Sequence, residues 1–429
     1  MGIGLDFGTT NSSLALATEA GEVTLSAFPI LGAGFTHSYR SLLYLERLQQ
    51  AGRNTIQSWS GPQGIEHYLA ADDEKGRLIQ SLKSFLSSRG LQSTEVFGRR
   101  IQIEDLVARI LKDIRIHAEK EFGPSVRRVV VGRPVRFVGA HSAADDDYAL
   151  SRLKDALLRA GFEDVRFEFE PIAAAYYYEA RLHRDELILI GDFGGGTSDF
   201  SLLNVGPTFR RLRRDEPRPV LGNEGLGLAG DAFDAKIVRR LVSPALGAGT
   251  ELRSGNKILP VPGWVYHKLE RWHHLSLLKS QDTLNMLQSV AKQALEPDKI
   301  RHFLYLIQHD MGYHLHRAVQ RVKVELSRSE HSAFHFADAD VELTGRVDRA
   351  EFEDWIAEEL DQIQNSVDAL LAKTNVHPSR VDRVFLTGGS SFVPAVRRIF
   401  EALFGPDKIR TGDEFTSVAS GLALRSLEQ

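Results

Sequence analysis

The sequence predicts an α/β protein of two related lobes with inserted segments, and three observations carry that reading. Strand-like apolar runs alternate with helix-period segments along most of the 429 residues. A short motif occurs twice at strand ends, as Asp6-Phe7-Gly8-Thr9-Thr10-Asn11-Ser12 and as Asp192-Phe193-Gly194-Gly195-Gly196-Thr197-Ser198-Asp199. A further strand follows each copy at once, so the echo is one of strand–turn–strand context as well as of letters. Allowing one extra glycine in the second copy sets Thr197 opposite Thr10.

Taken in order, segments 3–7, 13–18 and 23–28 read as strands. Segment 103–122 keeps an apolar helical period and stops at Gly123-Pro124. An apolar strand at 126–132 precedes a helix at 147–160, which Gly161 caps. A strand at 165–169 leads into a helix at 171–183 with Pro171 at its first position, where a missing N–H costs nothing. Segments 186–193 and 197–205 pair around a glycine turn. Downstream, 282–295 and 297–326 are helical, the second with an interruption. A strand at 341–343 precedes a turn at Gly345. One long helix, 348–373, opens with Asp348 and Glu351 in capping-box spacing. A strand at 381–387, a helix at 394–404 and a closing helix at 417–427 complete the chain. Segment 243–263, rich in Gly and Pro, reads as a loop within an insert.

Composition narrows the function classes. Lys plus Arg number 53 against 57 Asp plus Glu, a net charge of −4, which disfavours a general nucleic-acid or membrane-surface binder. The absence of cysteine excludes disulfides, thiolate metal sites and cysteine nucleophiles, and fits a reducing cytosol. Asp6 arrives before any signal-like apolar stretch can form, and runs such as Leu187-Ile188-Leu189-Ile190 fall far short of the roughly 18 residues that span a bilayer. The expectation is a cytoplasmic monomer with no nucleic-acid or membrane partner.

A Gly-rich turn between two strands exposes consecutive N–H groups and lets backbone approach an anion closely, so each copy of the repeat is a candidate phosphate cradle. An aspartate beside a phosphate is repelled by it. A hydrated Mg²⁺ held by Asp6 and Asp192 and bridging phosphate oxygens removes the conflict. Two cradles facing each other would clamp one triphosphate between the lobes; two ordinary Gly-turn hairpins are the plainer alternative. A third element, Leu386-Thr387-Gly388-Gly389-Ser390-Ser391-Phe392-Val393-Pro394, is a strand end whose bare glycine backbone suits a flat ring or a ribose. A fourth, Glu170-Pro171-Ile172-Ala173-Ala174-Ala175, offers a thin helix face for close packing.

Together these elements resemble the actin-like ATPase superfamily, and most nearly the ATPase domain of DnaK-type heat-shock chaperones. Ala229-Gly230-Asp231-Ala232-Phe233-Asp234 is similar to that family's Gly-Gly-x-x-Phe-Asp segment. Val319-Gln320-Arg321-Val322-Lys323-Val324-Glu325-Leu326-Ser327 is similar to its nucleoside-contacting helix. The resemblance implies duplicated ribonuclease-H-like lobes: lobe I at 1–185 with an insert about 36–105, completed by 412–429, and lobe II at 186–411 with an insert about 229–345. It implies ATP or ADP with Mg²⁺ as cofactors. Gly8, Thr9, Thr10 and Asn11 from one lobe and Gly194, Gly195, Gly196 and Thr197 from the other would bind phosphates. Asp6 and Asp192 would hold the metal, and Asp199, Glu170, Lys83 and Thr197 would form the catalytic set. Gly230, Gln320, Lys323, Ser327, Gly388, Gly389 and Ser390 would hold the rest of the nucleotide.

Two departures stand out. Gln320 takes the place of the family's usual Glu, and Val324 that of its usual Arg, which bears on base preference. The segment 416–421 also lacks the family's Asp-Glu. The layout, with Gly132-Arg133-Pro134-Val135 and Trp264 in a divergent insert, resembles the short YegD-type bacterial relatives, and no peptide-binding domain is expected after the closing helix. The expected function is therefore a slow Mg²⁺-dependent ATPase switch, read by a protein partner through the insert around Trp264 and Trp272. The alternatives are a small-molecule kinase of the same superfamily, an actin-like filament protein, or a pseudo-ATPase. The late histidines, among them His314 and His316 at i, i+2, do not share a helix face and read as no metal site. The basic stretch Arg210-Arg211-Leu212-Arg213-Arg214 reads as a solvated loop.

Overall fold

Two mixed sheets repeat a single strand order in the computed structural model, which describes residues 1–30, 34–50, 53–70, 76–179, 182–212, 220–270, 278, 280–309, 311–411 and 417–427. The first sheet contains β1 (Gly2–Phe7), β2 (Asn11–Ala17), β3 (Val23–Leu25), β4 (Tyr39–Arg40), β5 (Arg128–Arg133) and β6 (Asp164–Phe169). The second contains β7 (Glu186–Phe193), β8 (Ser198–Val205), β9 (Val220–Leu226), β10 (Arg383–Thr387) and β11 (Ile409–Thr411). The spatial orders are β3-β2-β1-β5-β6, with β4 also on β2, and β9-β8-β7-β10-β11. In each sheet a central antiparallel hairpin is flanked by one more antiparallel strand on one side and two parallel strands on the other. The central strands β1 and β7 are apolar on both faces and almost wholly buried, as strands covered by helices on both sides must be.

The helices that matter for the site are α1 (Ile103–Phe122), α2 (Ala143–Arg159), α3 (Glu170–Glu179), α4 (Gly312–Leu326), α5 (Arg349–Trp355), α6 (Ala357–Thr374), α7 (Pro394–Phe404) and α8 (Ser417–Leu427). The apolar stripes of α1 and α2 share one core with Ile3, Leu5 and Phe7 of β1. Between the sheets, α3 and α8 cross at backbone contact. A Cβ at Gly421 would stand 1.7 Å from the Ala173 carbonyl oxygen, and one at Gly4 would stand 2.3 Å from the Ala423 nitrogen. The alanine run of α3 thus serves as the thin face that its sequence suggests. Ile172 and Tyr176 of α3, Ile188 and Ile190 of β7, and Val418 and Leu422 of α8 form the joint's own core with Val130 of β5.

At the other end of the cleft the inserts meet. Insert one is a three-stranded sheet, Leu42–Gln50, Arg53–Ser60 and Gly76–Gln80, with the helix Gly61–Ala70. Tyr68 of that helix lies edge-on to Tyr313 of α4, ring centroids 5.6 Å apart, beside Leu42, Tyr44 and Leu78.

The structure corrects several sequence expectations. Segment 243–263 is not a loop: it holds the hairpin Glu251–Ser254 with Lys257–Pro260 and a short helix from Ser243 to Ala245. Gly345 lies inside the strand Val341–Asp348, opposite Phe334 of a strand, His331–Asp338, that the reading missed. The turn falls instead at Ala339, whose φ is +44°. The long helix opens at the Asp348 capping box but breaks at Ile356 into α5 and α6. The helix expected at 147–160 starts earlier, because Ser142 accepts from the Asp145 N–H and caps it. The helix expected to reach residue 183 stops short of it, since 182 and 183 are not helical, and the strand 23–28 is two short strands. Arg210, Arg211 and Leu212 lie in a short helix, Pro207–Leu212. Arg213, Arg214, Thr416 and Trp272 lie outside the described residues.

Candidate functional site

The repeated turns sit at equivalent places in the two sheets. Phe7 pairs with Ser12 across the first hairpin and Phe193 with Ser198 across the second, so the turns are of equal length. This corrects the gapped alignment: Thr197 corresponds to Asn11, and Gly196 to Thr10. The glycines opening the turns confirm the register. A Cβ at Gly8 would lie 2.1 Å from the Asn11 carbonyl oxygen, and the Gly194 N–H donates to the Thr197 carbonyl at 2.8 Å. The turns touch each other, since a Cβ at Gly195 would come within 2.6 Å of Thr10 Oγ1. One register step further back, Asp6 faces Ser13 whereas Asp192 faces Asp199.

Behind the turns lies a group of buried carboxylates, one of them paired with a lysine. Lys83 Nζ stands 2.8 Å from Glu170 Oε1, both side chains buried. Burial pushes the Asp6 carboxyl well above its ordinary range, helped by the Glu170 charge and opposed by Lys83. Asp192 is pushed up to about 6, by burial and then by Glu170; a 2.7 Å hydrogen bond from Thr387 Oγ1 and the Lys83 charge pull the other way. Asp199 is raised by burial, Glu170 and Asp192, although the Val135 and Arg136 N–H groups donate to its Oδ1 at 2.9 and 3.3 Å. Such crowding of negative charge is costly until a cation offsets it. Among the described residues no three acidic or histidine side chains converge as a ready-made metal cage. Asp6 and Asp192 on the cleft wall therefore suit a hydrated Mg²⁺, which keeps waters and takes phosphate oxygens, better than an ion that demands a full protein shell.

The cleft itself is about 300 Å³. Its wall includes Asp6, Gly8, Thr9, Thr10 and Asn11 from the first lobe, with Lys83 and Glu170. From the second lobe it includes Asp192, Gly194, Gly195, Thr197, Gly388, Gly389 and Ser390. Gly230, Gln320 and Lys323 line it from the second insert. Gly388 needs its glycine twice over: φ is +82°, and a Cβ would meet the Phe193 carbonyl oxygen at 2.0 Å. Lys323 Nζ lies 2.8 Å from the buried Asp234 carboxylate and donates to the Gly230 carbonyl at 3.1 Å. Burial raises Asp234, and Lys323 and Gln320 counter it.

Three expected residues are placed differently. Ser327 does not line the cleft; its hydroxyl donates to the Lys323 carbonyl one helical turn back. Gly196 faces Val138, whose Cγ2 would be 2.8 Å from a Cβ there. Asp199 is set back from the wall by its bonds to the 135–136 backbone. Conversely, Arg40, Asp231, Val138 and Val418 line the cleft unforeseen. Asp231 was within reach of the sequence, since it adjoins the Gly230 motif; Arg40 carries no motif at all. Val324, in the place of the expected arginine, lines the cleft and is 52% exposed.

Two sheets of one strand order, jointed by a crossed helix pair and meeting at twin Asp-Phe-Gly turns, have the actin-like ATPase fold. Within that class the chain belongs to the Hsp70 family, whose family model, described as Hsp70 protein, matches residues 71–250 and 306–427. Similar curated proteins include the stromal 70 kDa heat shock-related protein of the Pisum sativum chloroplast, 25% identical over 99% of this chain and 52% of its own length. The chaperone protein DnaK of Prochlorococcus marinus is 24% identical, with 99% and 58% covered, and that of Thermosipho africanus is 23% identical, again with 99% and 58% covered. The chain thus spans little more than half the length of these relatives. No helix among the described residues is long and apolar enough to cross a membrane.

Proposed function

We propose that the chain binds Mg·ATP in this cleft, hydrolyses it slowly, and works as a two-lobed switch of the kind that a chaperone's nucleotide-binding domain provides. The observation that supports this reading best is the contact of two equivalent phosphate-cradling turns over a carboxylate-rich floor. In this proposal the N–H groups and hydroxyls of 8–11 and 194–197 take the β- and γ-phosphates. Asp6 and Asp192 would hold Mg²⁺ there. The ion would neutralise phosphate charge as the terminal P–O bond breaks.

Lys83 is held on the cleft wall by Glu170, so its ammonium is oriented before a terminal phosphate arrives. Glu170 and Asp199 share the task of orienting the attacking water. Most of the rate then comes from fixed charge and position rather than from covalent chemistry. Gly388 and Gly389 take the nucleoside on bare backbone, and Lys323, fixed by Asp234, borders it. Hydrolysis relaxes the lobes about the α3–α8 crossing. A partner reads that rotation, with Trp264, 46% exposed in the stretch 251–305 that the family model leaves unmatched, as its contact. Cytoplasmic residence and a monomeric state belong to the same proposal. Calorimetry with Mg·ATP tests the reading: saturable binding with slow phosphate release supports it, and no heat at millimolar nucleotide would sink it.

A further inference from the structure

Arg40 is a half-buried cation that none of the roles above uses. It comes from the two-residue strand β4, which pairs with Asn11 and Ser12 at the base of the first turn. Its mounting is rigid on both sides. The Ser41 N–H donates to the Thr10 carbonyl at 2.9 Å, and the Ser12 and Ser41 hydroxyls are 2.8 Å apart. Tyr39 is anchored in the core by its hydroxyl, which donates to Asp113 Oδ2 at 2.5 Å and accepts from the Ser60 hydroxyl at 2.8 Å. The Arg40 side chain lines the cleft and donates one bond, from Nη1 to Asn11 Oδ1 at 3.2 Å. No carboxylate among the described residues lies within ion-pair distance of it.

A guanidinium carries five N–H donors in a planar fork. Among the described residues one of them is engaged, on the neutral Asn11 amide. Burial works against the charge and the Arg317 charge adds to that, while Tyr313 and Asp231 offset it only in part. A half-buried guanidinium with no carboxylate within ion-pair distance has lost part of its hydration, and an oxyanion restores it. Carboxylate and phosphate fit the fork best, and the neighbouring backbone is the phosphate-cradling turn itself.

We propose that Arg40 is a polyphosphate ligand supplied in cis, clasping the phosphate chain from the side opposite Lys83 and discriminating nucleoside di- and triphosphates from the nucleoside. This rests on the nucleotide reading of the cleft. Its role is in binding: Asn11 aims the fork, and the fork adds two-pronged hydrogen bonds that a lysine would not reproduce.

The test measures ATP, ADP and adenosine affinities for wild type, Arg40→Gln and Arg40→Lys, with thermal melts as a fold control. Arg40→Gln is expected to weaken ATP and ADP by at least about tenfold and leave adenosine within about twofold; Arg40→Lys should fall between. An ATP-to-adenosine affinity ratio unchanged in both variants would overturn the assignment while leaving the nucleotide reading intact. A wild type that binds no nucleotide would overturn the nucleotide reading, and this inference with it. If Arg40→Gln melts below the assay temperature, Arg40→Lys decides alone: wild-type ATP affinity in it overturns the proposal.

Discussion

The two lobes share a sheet order and a turn of equal length, yet they part at one register position. Asp6 faces Ser13 in the first hairpin, while Asp192 faces Asp199 in the second. The turns are also braced differently. Strand β4 ties down the first. The second is held by the Gly230 and Asp231 N–H groups, which donate to the Gly194 and Gly195 carbonyls at 3.4 and 2.7 Å. The lesson is that duplicated architecture can carry polarised chemistry. Both hairpins place an aspartate just ahead of the turn, but only the second pairs it with another carboxylate across the strands. A second comparison runs along the cleft. At the joint, α3 and α8 touch backbone to backbone through Gly421 and Ala173; at the mouth, the inserts meet through aromatic rings.

The polarity of the lobes can be broken most forcefully at Asp199. Replacing it with Asn should lower phosphate release at saturating Mg·ATP by about 10²-fold or more, the scale of a lost acid–base group. Ser13→Ala, at the equivalent position, should stay within about threefold. Equal losses in the two variants would mean that the lobes are chemically alike. At the joint, Gly421→Ala inserts a Cβ into the Ala173 carbonyl and should cost about 3 kcal/mol in denaturant unfolding. Gly90, with nothing within 4 Å of an added Cβ, is the control and should shift by less than about 0.5 kcal/mol as Ala.

The pH dependence sharpens the contrast next. The folded state holds Asp192 near 6 against an ordinary 3.8. The native protein therefore binds more protons than the unfolded chain across that window, and stability falls as pH rises from about 4 through about 6. For Asp192 the fall is about 3 kcal/mol, and Asp6 and Asp199 act in the same direction. Chemical denaturation across this range should show a shallower fall for Asp192→Asn. An equal slope in the variant would remove Asp192 from the crowded group. The smallest effect is expected at the mouth: Tyr68→Ala should raise the nucleotide off-rate about fivefold by stopped-flow, in keeping with the loss of an aromatic pair, while leaving the melting temperature close to wild type.

What the sequence revealed followed the range of the interactions involved. The helix Ile103–Phe122 is legible to the residue because an apolar period runs unbroken into Gly123-Pro124. The twin turns are legible because the repeat includes an aspartate, an aromatic and glycine in fixed order. The strand His331–Asp338 was missed although its burial alternates perfectly, because the outward positions carry His and Ala rather than the expected charged residues, and Gly345 suggested a turn. The equivalence of Thr197 with Asn11 was hidden because three consecutive glycines invite a gap that the hairpin register does not contain. Arg40 was invisible for a further reason: its place depends on a two-residue strand pairing across 29 positions with Asn11, and such a pairing leaves no periodic trace.

A crystal structure with Mg·ADP bound tests the central claim most directly. The account predicts a nucleotide whose phosphates contact both turns, with one hydrated Mg²⁺ on the Asp6–Asp192 side and the nucleoside against Gly388 and Gly389. Phosphates held by one turn only, or a nucleotide bound away from the Asp6–Asp192 cleft, would contradict it.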